Sequence, residues 1–192
     1  MNARMRRRFA QLSLLLALLL LVGCVSQPFT DPASPYFRVP EGSRVTINRV
    51  LEIPPGQARL FMQNGRVMEN FDHYIPNCNI EVRKLDREAV QFVRPDSYRV
   101  VRTQRTLQEN VRAGRLLVAS AGGVLALSDD SAGTAMVYEG YHLWLEGPDP
   151  NVMRVSCRGV FASQNEAFPP SLDEMRQALG SLMTIEVAGG VP

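Results

Sequence analysis

From residue 43 onward the apolar residues of this chain recur mostly at every second position, and turn chemistry cuts the runs short. Period two sends successive side chains to opposite faces, so such a chain folds as strands with one side turned to a core. Val45, Ile47, Arg49, Leu51 and Ile53 share one face of a first expected strand, which Pro54-Pro55-Gly56 ends. Residues 57–63 read as a second strand. Asn64-Gly65 then stands between Leu60-Phe61-Met62-Gln63 and Arg66-Val67-Met68, a strong hairpin signal. Residues 79–85, 89–93 and 98–106 follow as strands, the last two separated by Pro95-Asp96. Residues 134–146 form the longest candidate, and Gly147-Pro148-Asp149-Pro150-Asn151 turns the chain back into 152–162, antiparallel to it. Residues 107–133 read as a hairpin around Gly122-Gly123 or as a flap. One helix is expected: Ser171-Leu172-Asp173-Glu174 has capping-box spacing after Pro169-Pro170. Leu172, Met175 and Leu179 share a face, and Gly180 stops it. A last strand is expected at 182–187 and a frayed tail at 188–192. The fold class is mainly β, an antiparallel sandwich or small barrel with one short C-terminal helix.

The N-terminus is of another kind. Arg4, Arg6, Arg7 and Arg8 precede an apolar run that ends in Leu21-Val22-Gly23-Cys24. A basic start, a short apolar run and a small residue before the cut make a secretory signal peptide, itself helical. The run is about 14 residues from Phe9, below the roughly 20 that a spanning helix needs. Residues 116–127, the next most apolar stretch, are shorter still. Cysteine directly after Gly23 resembles the bacterial lipobox, and the chain resembles a bacterial lipoprotein precursor; no named family is matched by the domain behind it. The resemblance implies cleavage before Cys24, a diacylglycerol on its sulfur and an acylated new N-terminus. Val25 follows Cys24 where Asp commonly signals inner-membrane retention. The implied location is therefore the outer membrane, with the domain facing the periplasm. Residues 1–23 are then the signal peptide, 24–42 the lipidated Cys and a tether carrying Pro28, Pro32, Pro35 and Pro40, and 43–187 one β-rich domain. Tyr36-Phe37, near the end of the tether, are placed to dock on that domain.

Removing that signal changes the electrostatics. The whole chain carries 21 Lys+Arg and 19 Asp+Glu; four arginines and no acids lie in residues 1–23, which leaves a mature balance of −2. No global basic charge invites nucleic acid. Residues 83–115 nevertheless hold nine basic residues, among them Arg94, Arg102 and Arg105, against four acids, a local +5. That is a solvated strand face or a contact for anionic headgroups or an acidic partner. With Cys24 taken by lipid, Cys78 and Cys157 remain as an even pair in an exported protein. Each sits on the apolar side of an expected strand: Cys78 with Ile80 and Val82, alternating with Asn79, Glu81 and Arg83, and Cys157 with Met153 and Val155, alternating with Arg154, Ser156 and Arg158. A disulfide is the expectation, with two buried free thiols as the alternative.

Catalytic patterns are sparse. His73 and His142 are the only two histidines. Neither belongs to a His-x-x-x-His or Cys-x-x-Cys spacing, so no metal is assigned. Asp72-His73-Tyr74 reads as a loop cap before Pro76. Asp129-Asp130 lack the further oxygen donors of a calcium loop. Gly122-Gly123 is no phosphate loop, and there is no Gly-x-Ser-x-Gly elbow. His142 shares a strand face with Met136, Tyr138, Gly140 and Trp144, a packing stripe or a partner surface. The candidate partner surface is Tyr138, His142 and Trp144 with Arg94, Arg102 and Arg105. The chain reads as a non-enzymatic envelope protein without cofactor, held to a membrane through Cys24 and binding an envelope protein or supporting envelope assembly. A carrier of a small apolar ligand and an enzyme without a recognisable motif are the alternatives.

Overall fold

The computed structural model describes residues 31–109 and 136–190. The signal segment, Cys24, the start of the tether and the Gly122-Gly123 region lie outside them. Among the described residues eleven strands and one helix follow in chain order: β1 (Arg44–Ile47), β2 (Leu51–Ile53), β3 (Arg59–Gln63), β4 (Arg66–Met68), β5 (Asn77–Val82), β6 (Gln91–Val93), β7 (Asp96–Glu109), β8 (Met136–Glu146), β9 (Val152–Arg158), β10 (Ala162–Ser163), α1 (Leu172–Leu179) and β11 (Met183–Glu186). The main sheet is antiparallel and runs β11-β1-β7-β8-β9-β5-β3-β4, with β10 added to β8. It curls into a half-barrel. The mainly β architecture with one short C-terminal helix is the one observed. Among the described residues no helix is long and apolar enough to cross a membrane.

The apolar side of the alternation becomes the core. Cys78, Ile80, Val82, Tyr141, Leu143, Leu145 and Val155 form one cluster with Leu172, Met175 and Leu179 of α1. The helix packs on β5 and β3 towards one edge and on β11 at the other, and so bridges the open side of the curl. Of its four buried apolar residues, the three large ones, Leu172, Met175 and Leu179, each contribute roughly 1.5–3 kcal/mol by leaving water. Its first turn is closed as the spacing predicts. The Ser171 amide donates to Glu174 Oε2 at 2.8 Å, and the Glu174 amide donates to Ser171 Oγ at 3.3 Å. The Asn64-Gly65 turn joins β3 and β4 with φ of 52° and 72°, the doubly positive geometry of a tight hairpin. Its Gly65 amide donates to the Ala178 carbonyl, and a Cβ on Gly180 would sit 2.4 Å from the Gly65 Cα. Both glycines are needed for the hairpin to meet the helix end.

Two expectations are revised. The single strand over 45–53 is two: β1 pairs with β7 and β11, whereas β2 leaves for a separate ribbon with β6. The break falls at Asn48, whose amide side chain donates to the Ser181 carbonyl and to Thr184 Oγ1, fixing the chain to the turn before β11. Val152 rather than Met153 faces the core, because the β5–β9 register shifts between Glu81 and Val82. Packing begins ahead of residue 43, where docking of Tyr36-Phe37 is expected. Phe37 and Val39 are buried in the core, held by a hydrogen bond from Thr103 Oγ1 to the Val39 carbonyl at 2.6 Å.

Cys78 and Cys157 face each other directly in the β5–β9 register, with Cα atoms 4.0 Å apart and Sγ atoms at a bonding distance of 2.03 Å.

Candidate functional site

The polar side of the same strands is the unusual surface. All six residues of β5 are buried, so Asn77, Asn79 and Glu81 are as enclosed as the core residues between them. Cross-strand register builds rows from these outward positions. One row runs Arg102, Trp144, Arg154, Glu81 and Arg59 across β7, β8, β9, β5 and β3. The next runs Gln104, His142, Ser156, Asn79 and Phe61, and a third brings Gly140, Arg158 and Asn77 together. The middle row is short in its centre. Longer side chains on either side cover it, which is why Ser156 and Asn79 are buried on a face that carries no apolar core.

Each row has its own chemistry. In the first, the Arg102 and Arg154 guanidinium carbons lie 4.5 and 4.9 Å from the Trp144 ring centroid. These are cation–π stacks from the two neighbouring strands. Trp144 Nε1 donates to Gln104 Oε1 at 3.2 Å. Glu81 accepts from Arg154 Nη2 at 2.8 Å and lies 3.6 Å from Arg59 Nε. In the second row, Ser156 Oγ donates to Glu81 Oε1 at 2.9 Å and meets His142 Nδ1 at 2.7 Å. A hydroxyl has one proton. Once it is given to the carboxylate, Oγ accepts from the imidazole, which fixes the Nδ1–H tautomer. In the third row the Arg158 guanidinium carbon lies 5.1–5.4 Å from the rings of Tyr138, Phe71 and Phe61, and its Nη1 donates to Gln108 Oε1.

Burial acts on these groups in opposite senses. It works against ionisation of Glu81, but the hydrogen bonds from Arg154 and Ser156 and the charge of Arg59 outweigh it and hold the carboxyl below its ordinary range. Burial first, and then the Arg154 charge, push His142 down to about 4. His142 is therefore neutral at neutral pH. Burial also lowers Arg158. In the order glutamate–serine–histidine the Ser156 proton points to Glu81 and the imidazole donates to Oγ, so His142 is not placed to act as base towards this hydroxyl. Among the described residues no group of three His, Cys, Asp or Glu side chains is placed to hold a metal ion.

The sequence-derived surface is divided by this geometry. Tyr138, His142, Trp144 and Arg102 share the outer face. Arg105 pairs with Tyr141 in register and so turns inward. It is held by Glu139 and lies over the Tyr36 ring. Arg94 is exposed in the link between β6 and β7 and joins neither group. Gly140 does leave a gap, and for a backbone reason: a Cβ there would meet the Cys157 carbonyl oxygen at 2.2 Å. His73 hydrogen-bonds the Tyr138 hydroxyl from a loop in which Asp72 Oδ1 accepts from the Tyr74 amide. Sequence reasoning missed Glu81, Ser156, Asn77, Asn79, Arg154 and Arg158 as site residues. Their signal is present in the sequence as the polar half of the two cysteine-bearing strands.

No family model matches the chain, and neither a curated protein nor a solved structure matches it.

Proposed function

We propose that this chain is a lipid-anchored protein of a bacterial cell envelope, held at the outer membrane through Cys24, facing the periplasm and acting by binding a protein partner rather than by catalysis. The anchor rests on the Leu21-Val22-Gly23-Cys24 motif and agrees with a cysteine pair at bonding distance. One observation carries the binding reading: the Arg102–Trp144–Arg154 stack stands beside a fully hydrogen-bonded Glu81–Ser156–His142 chain. That arrangement presents pre-positioned charge and aromatic area at low ordering cost, the hallmark of contact residues. It contains no hydroxyl poised for attack. The carrier alternative is less favoured, because α1 occupies the hollow side of the curl with Leu172, Met175 and Leu179.

Two measurements test the reading. Radiolabelled palmitate should enter the protein, and Cys24→Ser should abolish labelling and release the domain from the membrane fraction. Absence of label in the unaltered protein would overturn the anchor. A photo-crosslinking amino acid at exposed Gln104, beside Trp144, should trap a discrete adduct in intact cells, while one at exposed Gln177 on α1 should not. Equal trapping from both positions, or none from Gln104, would overturn the binding face.

A further inference from the structure

The outer face is charged out of proportion to the protein. Its positions on β3, β5, β7, β8 and β9 carry Arg59, Arg99, Arg102, Arg154 and Arg158 against the carboxylates Glu81 and Glu146, an excess of +3 on a chain whose mature balance is −2. Glu146 is used by Arg99 at 2.5 Å, and Glu81 by Arg154 and Arg59. Arg102 and Arg158 have no carboxylate within ion-pair distance among the described residues, although both are oriented by aromatic rings. Unsatisfied polarity is concentrated in the same place. Among the described residues, the buried side-chain nitrogens and oxygens without a partner are Asn77 Oδ1, Asn79 Oδ1, Arg154 Nε, and Arg158 Nε and Nη2, all on this face. Buried polar atoms elsewhere in a fold are almost always paired.

From this we infer that the Arg102–Trp144–Arg154 end of the face binds a carboxylate-rich segment of a partner protein, a stretch of Asp and Glu laid across the strands. The inference deepens the binding reading above and rests on it. The row itself shows which ligand it accepts. Glu81 sits between two guanidiniums, Arg154 and Arg59, at the far end. Arg102, at the near end, offers a ring-backed guanidinium of the same kind, exposed and without its carboxylate. The planar guanidinium matches a carboxylate through two parallel N–H donors. Stacking on Trp144 removes much of the side-chain freedom that an exposed arginine loses on pairing. Neighbouring strands lie about 4.8 Å apart, so the row from Arg102 to Arg59 spans roughly 19 Å, the length of about six extended residues. Trp144 also supplies apolar area beside the charges, which a bare anion would not use.

Trp144 is the only tryptophan in the chain, so its emission reports on this site alone. The purified full chain in non-ionic detergent is titrated with a synthetic peptide of alternating Asp and Glu, with a Lys–Ser peptide, with inorganic phosphate and with phosphatidylglycerol vesicles. The acidic peptide should change Trp144 emission saturably, and binding should weaken with added salt. Arg102→Gln should lower the affinity by about fivefold or more, Arg102→Lys should recover part of it, and Arg94→Gln, away from the face, should leave it unchanged. Arg102 is exposed, so its replacement tests binding and not folding; unchanged far-ultraviolet dichroism confirms that. A response to phosphate or vesicles with none to the acidic peptide would overturn the inference, as would an acidic-peptide response indifferent to Arg102→Gln. Crosslinking from Gln104 in cells with no acidic-peptide response would refute the ligand chemistry while leaving the binding reading intact.

Discussion

The two faces of β5 are both buried, as are Ser156 on the outer face of β9 and Val155 and Cys157 on its inner face, and the two sides are held by different physics. On the inner face Cys78, Ile80, Val155 and Cys157 need only the absence of water, and nearby α1 adds Leu172, Met175 and Leu179 to that core. On the outer face Asn79, Glu81 and Ser156 are buried among polar neighbours, and each must find a partner or bear its desolvation. The inner face tolerates any arrangement that fills its volume. The outer face depends on particular atoms: one proton on Ser156, one carboxylate between two guanidiniums, one imidazole tautomer. A surface so specified is costly to keep for stability alone, which is the physical ground for the proposed contact with a partner.

The largest difference between the faces should come from cutting the inner one. The Cys78–Cys157 link joins residues 79 apart in sequence. In the chain-entropy model such a closure is worth about 4–5 kcal/mol. Paired replacement, Cys78→Ala with Cys157→Ala, should lower the urea-unfolding free energy by about that amount. The non-reduced, unfolded mature protein should show no reactive thiol from either cysteine. Two reactive thiols would remove the link and leave the inner face to packing alone.

What the sequence made legible divides along the same line. The helix was readable because its signals are local: Ser171 and Glu174 lie one turn apart and need nothing else. The Asn64-Gly65 hairpin was readable for the same reason. Alternation also marked Cys78, Ile80 and Val82 as inward. It could not say that the intervening Asn79 and Glu81 are buried as well, because period two distinguishes the two faces without saying what covers either. The Glu81–Ser156 bond joins residues 75 apart, and Arg158 meets its rings from three separate segments. Those meetings depend on register, including the shifts at Glu81/Val82 and Val100/Arg102. The second shift puts Arg99 and Arg102 on one face, while Arg102 and Arg105 lie beyond it in unbroken register and so face opposite sides. Asn48, which splits the first expected strand, acts through Ser181 and Thr184 at the other end of the chain.

A smaller effect is expected from the outer face. Glu81→Ala leaves the Arg154 guanidinium and the Ser156 hydroxyl without their shared acceptor, on a face where Arg154 keeps only 16% of its side chain in solvent. Removing one member of a largely buried pair strands the other; with Arg59 solvent-accessible, the loss should be roughly 1–3 kcal/mol. Glu81→Gln should recover part of it, because its one amide oxygen still accepts from Arg154 or from Ser156, which in glutamate use separate oxygens. Equal losses for alanine and glutamine would mean that the carboxylate charge, rather than acceptor geometry, holds the face together.

The mildest test separates the faces by pH, since the inner face of β5 and β9 carries no group that titrates. His142 is held at about 4 in the folded protein, below the ordinary 6.5. When pH falls below 6.5 the unfolded chain takes up its proton first, so protonation draws the equilibrium towards unfolding. The stabilisation linked to His142 is thus fully present above 6.5 and is lost as pH falls to about 4. Glu81, lowered from its ordinary 4.5, adds a second loss of the same sign, beginning as pH approaches that value and completed as it passes below the folded one. Unfolding free energy should therefore decline in two adjoining stages. The His142 stage should be on the order of 1–2 kcal/mol after solvent screening. His142→Gln should flatten the upper stage, between pH 6.5 and about 4, and spare the lower; Glu81→Gln should do the reverse. A single slope that His142→Gln leaves unchanged would place the acid sensitivity elsewhere in the molecule and remove the imidazole from the account of how this face is held.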